Sequence, residues 1–148
     1  MARLEFTAEV TANCPPERAF DYFADHRHVA AVLDGVSKWE PAGSKTRGIG
    51  ARYNVELMVL GLPLKSVLRL HRWRRPYEIG WVSEKGLIKQ EGGFTFTRVK
   101  GGVHIVLRIA YTPPGAILGA AVAGRLDGVV RRRLQAALER IREVLETS

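Results

Sequence analysis

Leu4, Phe6, Ala8 and Val10 alternate with Glu5, Thr7 and Glu9, the period-two pattern of a half-buried strand. Pro15 and Pro16 end it. Pro16 pushes Pro15 toward an extended backbone and is itself suited to the first position of a helix, where its missing N–H costs nothing. Glu17 and Asp21 then lie near the positive end of that helix, and Ala19, Phe20, Phe23 and Ala24 form its apolar stripe. Val29, Val32 and Leu33 beside polar His26, Arg27 and His28 predict a second short helix over residues 25–33, broken by Asp34 and Gly35.

The middle of the chain reads as strands. Residues 36–40 predict a short one before the turn at 41–44. Ala51, Tyr53, Val55, Leu57 and Val59 share one side of a longer strand, opposite Arg52, Asn54, Glu56 and Met58. Gly61 and Pro63 mark the next reversal, and extended pieces follow over residues 65–73, 77–83, 88–99 and 103–111. The turn regions between them, 74–76, 84–86 and 100–102, imply repeated hairpins. After that the period changes: Leu118, Val122, Leu126, Val130, Leu134, Leu138, Ile141 and Leu145 recur at steps of four or three, the apolar face of a long terminal helix. Arg132 and Arg133 fall off that stripe, and Arg131 can lay its aliphatic stem beside it. A helix this long needs a wide apolar surface, and a curved antiparallel sheet supplies one, so the expected class is α+β: strand, two helices, six strands, long helix.

With 148 residues, 46% of them hydrophobic, the chain can bury a substantial core as one domain spanning residues 1–148. Its one cysteine, Cys14, excludes an internal disulfide and a four-thiolate metal site. The longest uncharged run, residues 109–124, contains two prolines and three glycines and does not suit a bilayer helix. The alternating start lacks the pattern of a secretory leader, which makes the cytoplasm the default location. Net charge is +8 and unevenly placed: residues 65–100 carry nine basic and three acidic groups, whereas residues 1–64 carry seven and eight. Such a field can draw an anionic membrane surface or RNA, or it can simply solvate strand faces.

The stretches PPERAFDYFADHRHV (15–29), GARYNVEL (50–57) and YTPPGAILG (111–119), followed by the terminal helix, resemble the START-like, polyketide cyclase and Bet v 1-like superfamily, also called SRPBCC. The resemblance covers essentially the whole chain. It implies a helix-grip fold, in which a curved seven-stranded antiparallel sheet holds the long C-terminal helix, two short helices close one end, and an apolar cavity lies between sheet and helix. It implies architecture more strongly than chemistry, because the superfamily includes lipid and quinone carriers, polyketide cyclases, plant hormone and allergen proteins and a ribosome-associated branch.

Candidate cavity walls are Tyr53, Val55, Leu57, Leu70, Trp81, Phe94, Phe96, Ile105, Leu107, Leu118 and Val122; Gly48, Gly50, Gly80, Gly92, Gly93, Gly115, Gly119 and Gly124 either widen the space or permit turns and bulges. A one-residue bulge reverses which side chains of a strand face inward, so alternation alone leaves the assignment open. His71 and His104 are candidates to orient a polar ligand group; His26 and His28 read as structural or solvent-exposed, and no metal motif is present. Asn54, Glu56, Arg69, Arg72, Glu78, Arg98 and Arg108, with Tyr53, can supply pocket chemistry only where they face inward; otherwise they form ion pairs or solvated surface. Cys14 lacks a motif to activate it, and neither GxSxG nor a Walker pattern occurs. Three function classes follow: noncatalytic binding or transport of a small hydrophobic molecule such as a lipid, quinone or polyketide; polyketide aromatase, cyclase or dehydratase activity; and ribosome or RNA association. The first leads, with no cofactor or metal expected and oligomeric state open.

Overall fold

The computed structural model describes residues 4–32, 36–59, 62–86, 89–112 and 120–147. In chain order the elements are β1 (Leu4–Ala12), α1 (Pro16–Phe23), α2 (His26–Val32), β2 (Val36–Pro41), β3 (Arg52–Val59), β4 (Leu62–Arg74), β5 (Glu78–Gly86), β6 (Lys89–Val99), β7 (Gly102–Thr112) and α3 (Ala120–Glu146). One seven-stranded sheet runs in the order β1-β7-β6-β5-β4-β3-β2, and every neighbouring pair is antiparallel. Successive hairpins build β2 to β7, and β1 pairs with the last of them. The chain must therefore travel from one edge of the sheet to the other between β1 and β2, and α1 and α2 make that crossing. They close one end of the concave face: α1 packs on β6 and β7, and α2 packs on β2.

The sheet is strongly curled. Trp39 on β2 and Trp81 on β5 lie three strands apart, roughly 14 Å in a flat sheet, yet their rings meet edge to face at 5.4 Å between centroids. Alternation gives the concave face Phe6, Ala8, Val10 and Ala12 from β1, Tyr53 and Val55 from β3, Phe94 and Phe96 from β6, and Val103, Ile105, Leu107 and Ile109 from β7, all buried. Strand β4 changes phase. Leu70 is opposite Trp81 and Arg72 is opposite Gly80, leaving His71 as the extra residue of a bulge. A second irregularity beside it puts Leu68 opposite Ser83 and Val67 opposite Lys85. Leu68 and Leu70 thus face inward before the first bulge, and Trp73, opposite buried Ile79, turns to the core after it.

Helix α3 has 27 residues, and Leu134, Ala137, Leu138, Ile141 and Leu145 form its buried stripe. Arg131, Arg132 and Arg133 are exposed, as their places off or beside the stripe require. The helix lies along β1, an edge strand whose unpaired backbone groups need partners. Gln135 provides them at Glu9, accepting from the backbone N–H at 3.1 Å and donating to the carbonyl at 2.7 Å. The Arg18 guanidinium of α1 donates to the carbonyls of Leu145 and Val144 at 2.8 and 3.3 Å, satisfying orphan acceptors at the negative end of α3. Gly102 allows β7 to begin under β1: a Cβ there would stand 2.0 Å from the Ala12 carbonyl oxygen.

Candidate interior binding site

The end of the concave face beneath α1 and α2 is lined by aromatic rings from five elements: Phe23 of α1, Trp39 of β2, Tyr53 of β3, Trp81 of β5, and Phe94 and Phe96 of β6, every one buried. Centroid separations are 4.1 Å for Phe23 and Phe94, 5.9 Å for Trp81 and Phe94, and 5.8 Å for Trp39 and Tyr53. The wall is continuous, with rings in stacked and edge-to-face contact as aromatic quadrupoles favour. His26 at the start of α2 reaches over it, its ring 5.7 Å from that of Tyr53. Gly92 makes room for the Trp81 indole, since a Cβ there would lie 2.9 Å from Trp81 Cζ2 and 2.8 Å from the Arg108 carbonyl oxygen.

Polar groups are sparse inside. Ser66 is the buried polar residue among those described, and no Asp, Glu, Lys or Arg is buried among them. The Tyr53 hydroxyl donates to the Thr46 carbonyl, and burial raises its pKa. Burial likewise raises the Cys14 thiol, partly offset by the nearby Arg18 charge, so this cysteine is held in its unreactive form. Two polar atoms on this wall have no hydrogen-bond partner among the described residues: the indole Nε1–H of Trp81 and Nδ1 of His26.

Of the cavity walls expected from sequence, Tyr53, Val55, Leu70, Trp81, Phe94, Phe96, Ile105 and Leu107 are buried on the concave face. Leu118 lies outside the described residues, and the side chains of Leu57 and Val122 lie outside them as well. Sequence reasoning placed Phe23 on a helix stripe but not on this wall, and missed Trp39 and His26. Trp39 belongs to the short edge strand, and His26 gains its place only because α2 folds across the opening.

The polar candidates other than Tyr53 and Arg98 sit on the outer face; Arg98 has the inward phase of Phe94 and Phe96, opposite buried Val103, but stands exposed at the rim beside α1. Arg108 pairs with Glu5 at 2.7 Å and Glu91 at 3.8 Å, Arg69 with Glu84 at 3.4 Å, and Arg98 with Glu17 at 3.3 Å. Asn54, Glu56, Arg72 and Glu78 have the outward phase of their strands. His104 also faces out, with its Nδ1 3.0 Å from the Thr11 hydroxyl. His28 stacks on Tyr22 at 3.8 Å and bonds its carbonyl at 2.6 Å, a structural role. His71 occupies the bulge, where burial and then the charges of Arg72 and Arg69 lower its pKa. The glycines divide similarly: Gly92 admits the Trp81 indole to the interior, Gly80 has the outward phase beneath the Arg72 side chain, and Gly48 and Gly50 serve turns at φ of 83° and 94°. Gly115 and Gly119 lie outside the described residues.

The outer face has its own hollow, about 490 Å³, lined by Lys38, Glu40, Asn54, Glu56, Lys65 and Lys85 among others. It is open and charged, unsuited to removing an apolar molecule from water. No group of three or more potential metal ligands occurs among the described residues, and no helix there is long and apolar enough to cross a membrane.

A curled sheet gripping a terminal helix, with an aromatic interior closed by two short helices, defines a helix-grip domain of the ligand-binding START-like class. The chain belongs to the family described as polyketide cyclase / dehydrase and lipid transport, whose profile matches residues 3–146. Solved structures agree in fold. TTHA0849 from Thermus thermophilus superposes with a TM-score of 0.76 at 19% identity, covering 96% of this chain and 97% of that one. DR_A0006 from Deinococcus radiodurans gives 0.72 at 18% identity, with 95% of each chain covered. A START superfamily protein from Mycobacterium smegmatis gives 0.71 at 14% identity, covering 95% of this chain and 98% of that one. No curated protein matches the chain significantly.

Proposed function

We propose that this protein binds a small hydrophobic molecule, of the size and character of a lipid, quinone or polyketide, within the concave face and carries or sequesters it without chemical change. The observation that supports this reading is the aromatic wall of Phe23, Trp39, Tyr53, Trp81, Phe94 and Phe96, assembled from five elements at the end closed by α1 and α2. Enclosing a ligand there removes its apolar surface from water, which contributes about 25 cal/mol per Å² buried. The titratable side chains of the described interior are a satisfied tyrosine, a neutral buried cysteine and His26, whereas no carboxylate- or guanidinium-bearing residue is buried among the described residues. That distribution favours burial over acid-base chemistry.

Native mass spectrometry of gently purified protein tests the reading, followed by the same measurement on stripped protein offered 2-ethylnaphthalene. A reproducible added mass, or one equivalent of the probe retained, is expected. Absence of both, with the fold intact, contradicts it. Conversion of a poly-β-ketone to a cyclised product, abolished by Tyr53→Phe without unfolding, would replace binding with catalysis.

A further inference from the structure

A buried N–H without an acceptor is uncommon in a folded protein, because it forfeits its bond to water and gains nothing in return. Trp81 is such a case: the residue is 1% exposed, and its Nε1–H has no partner among the described residues. The surroundings do not require a donor at this position. Phenylalanine would fill much of the same aromatic wall without carrying one. Trp81 lies against Trp39, Phe94 and the Gly92 backbone, and through Trp39 and Tyr53 the wall continues to His26, whose Nδ1 is also unpartnered. An otherwise apolar site thus retains two polar atoms that nothing among the described residues satisfies.

We propose that Trp81 Nε1–H is the hydrogen-bond anchor for a ligand that presents a carbonyl or ether-type acceptor oxygen on an apolar, ring-sized body. This rests on the interior-binding reading above and adds to it a chemical requirement. The indole can donate but cannot accept, so it selects for an acceptor and gives no advantage to a hydrocarbon of the same shape. Once a ligand has displaced water from the site, an acceptor-bearing molecule satisfies the donor, and its hydrocarbon analogue leaves it orphaned.

The test compares 2-acetylnaphthalene with 2-ethylnaphthalene, near-isosteric probes of which one carries a carbonyl oxygen. Affinities are measured for the whole chain and for Trp81→Phe, which keeps an aromatic ring and loses the donor. The ketone is expected to bind the unsubstituted protein roughly three- to tenfold more tightly than the hydrocarbon after correction for their different solubilities, the range of one neutral hydrogen bond. Trp81→Phe should erase most of that ratio, which is read within each protein and so does not depend on the contact area both probes lose with the smaller ring. Proton–nitrogen NMR of the indole groups gives a readout that needs no variant: the ketone should move the Trp81 Nε1–H resonance downfield of its position with the hydrocarbon. Equal corrected affinities and coincident indole shifts for the two probes overturn the anchor while leaving interior binding standing. Failure of both probes to bind overturns the anchor and the binding reading together.

Discussion

Leu134→Ala is the sharpest probe of the grip between helix and sheet. Leu134 is 1% exposed on the α3 stripe that packs along β1. Removing three carbons forfeits about 2.4 kcal/mol of transfer free energy at roughly 0.8 kcal/mol for each. A rigid sheet on one side cannot collapse fully into the space, so a cavity contribution adds to this, and a total loss of about 3 to 4 kcal/mol is expected. Urea unfolding followed by circular dichroism measures it, with the midpoint falling and the denaturant slope unchanged if the folded and unfolded states keep their exposed areas. Val144, further along the same helix and 49% exposed, is the control. Val144→Ala should shift stability by less than about 0.5 kcal/mol, because little packing is lost and alanine favours the helix. A Leu134→Ala loss below about 0.5 kcal/mol, indistinguishable from a surface change, would refute the packing argument.

Other tests address the site and the surface. Gly92→Ala drives a Cβ against Trp81 and the Arg108 carbonyl, so it should cost about 1 to 3 kcal/mol as overpacking and change the near-ultraviolet circular dichroism of the displaced indole; an unchanged spectrum contradicts the close approach. His71 has a lowered pKa because of burial and then Arg72 and Arg69. The unfolded chain therefore binds its proton first, stability is fully present above about pH 6.5 and declines as pH falls toward the folded value. His71→Gln should flatten that part of the urea-unfolding profile between about pH 7 and 5, and an identical slope removes His71 as its cause. Arg72→Gln with Arg74→Gln leaves the Asp21–Arg75 pair at 2.8 Å intact and should reduce any salt-sensitive binding to anionic vesicles without altering 2-ethylnaphthalene affinity; loss of the probe with the fold retained would place one of these arginines at the interior site.

Much of the fold is legible because both periods are clean. Phe6, Ala8, Val10 and Ala12 alternate to one face of β1, and Leu134, Leu138, Ile141 and Leu145 recur on one face of α3; each set is buried together. The inward side of β4 is less accessible to such reasoning. His71 adds one residue to the strand, and Leu70 and Trp73, three apart, both reach the core as a result. Nothing in the residue types around position 71 announces that insertion. The site is partly legible for the same reason. Tyr53, Phe94 and Phe96 follow from alternation, whereas Trp39 joins them only through the curl of the sheet and His26 only through the crossing of α2. Ion pairs such as Arg75 with Asp21, separated by 54 positions, depend on tertiary approach that charge counting along the chain cannot resolve.

The most direct measurement for the interior-binding account is an isotope-filtered nuclear Overhauser experiment on the labelled protein with 2-acetylnaphthalene. Interior binding gives cross-peaks from the probe to Trp39, Tyr53, Trp81 and Phe94, which share the wall beneath α1 and α2. Cross-peaks confined to the outer face, at Lys38, Lys65 or Lys85, or no bound probe at its solubility limit, would contradict it.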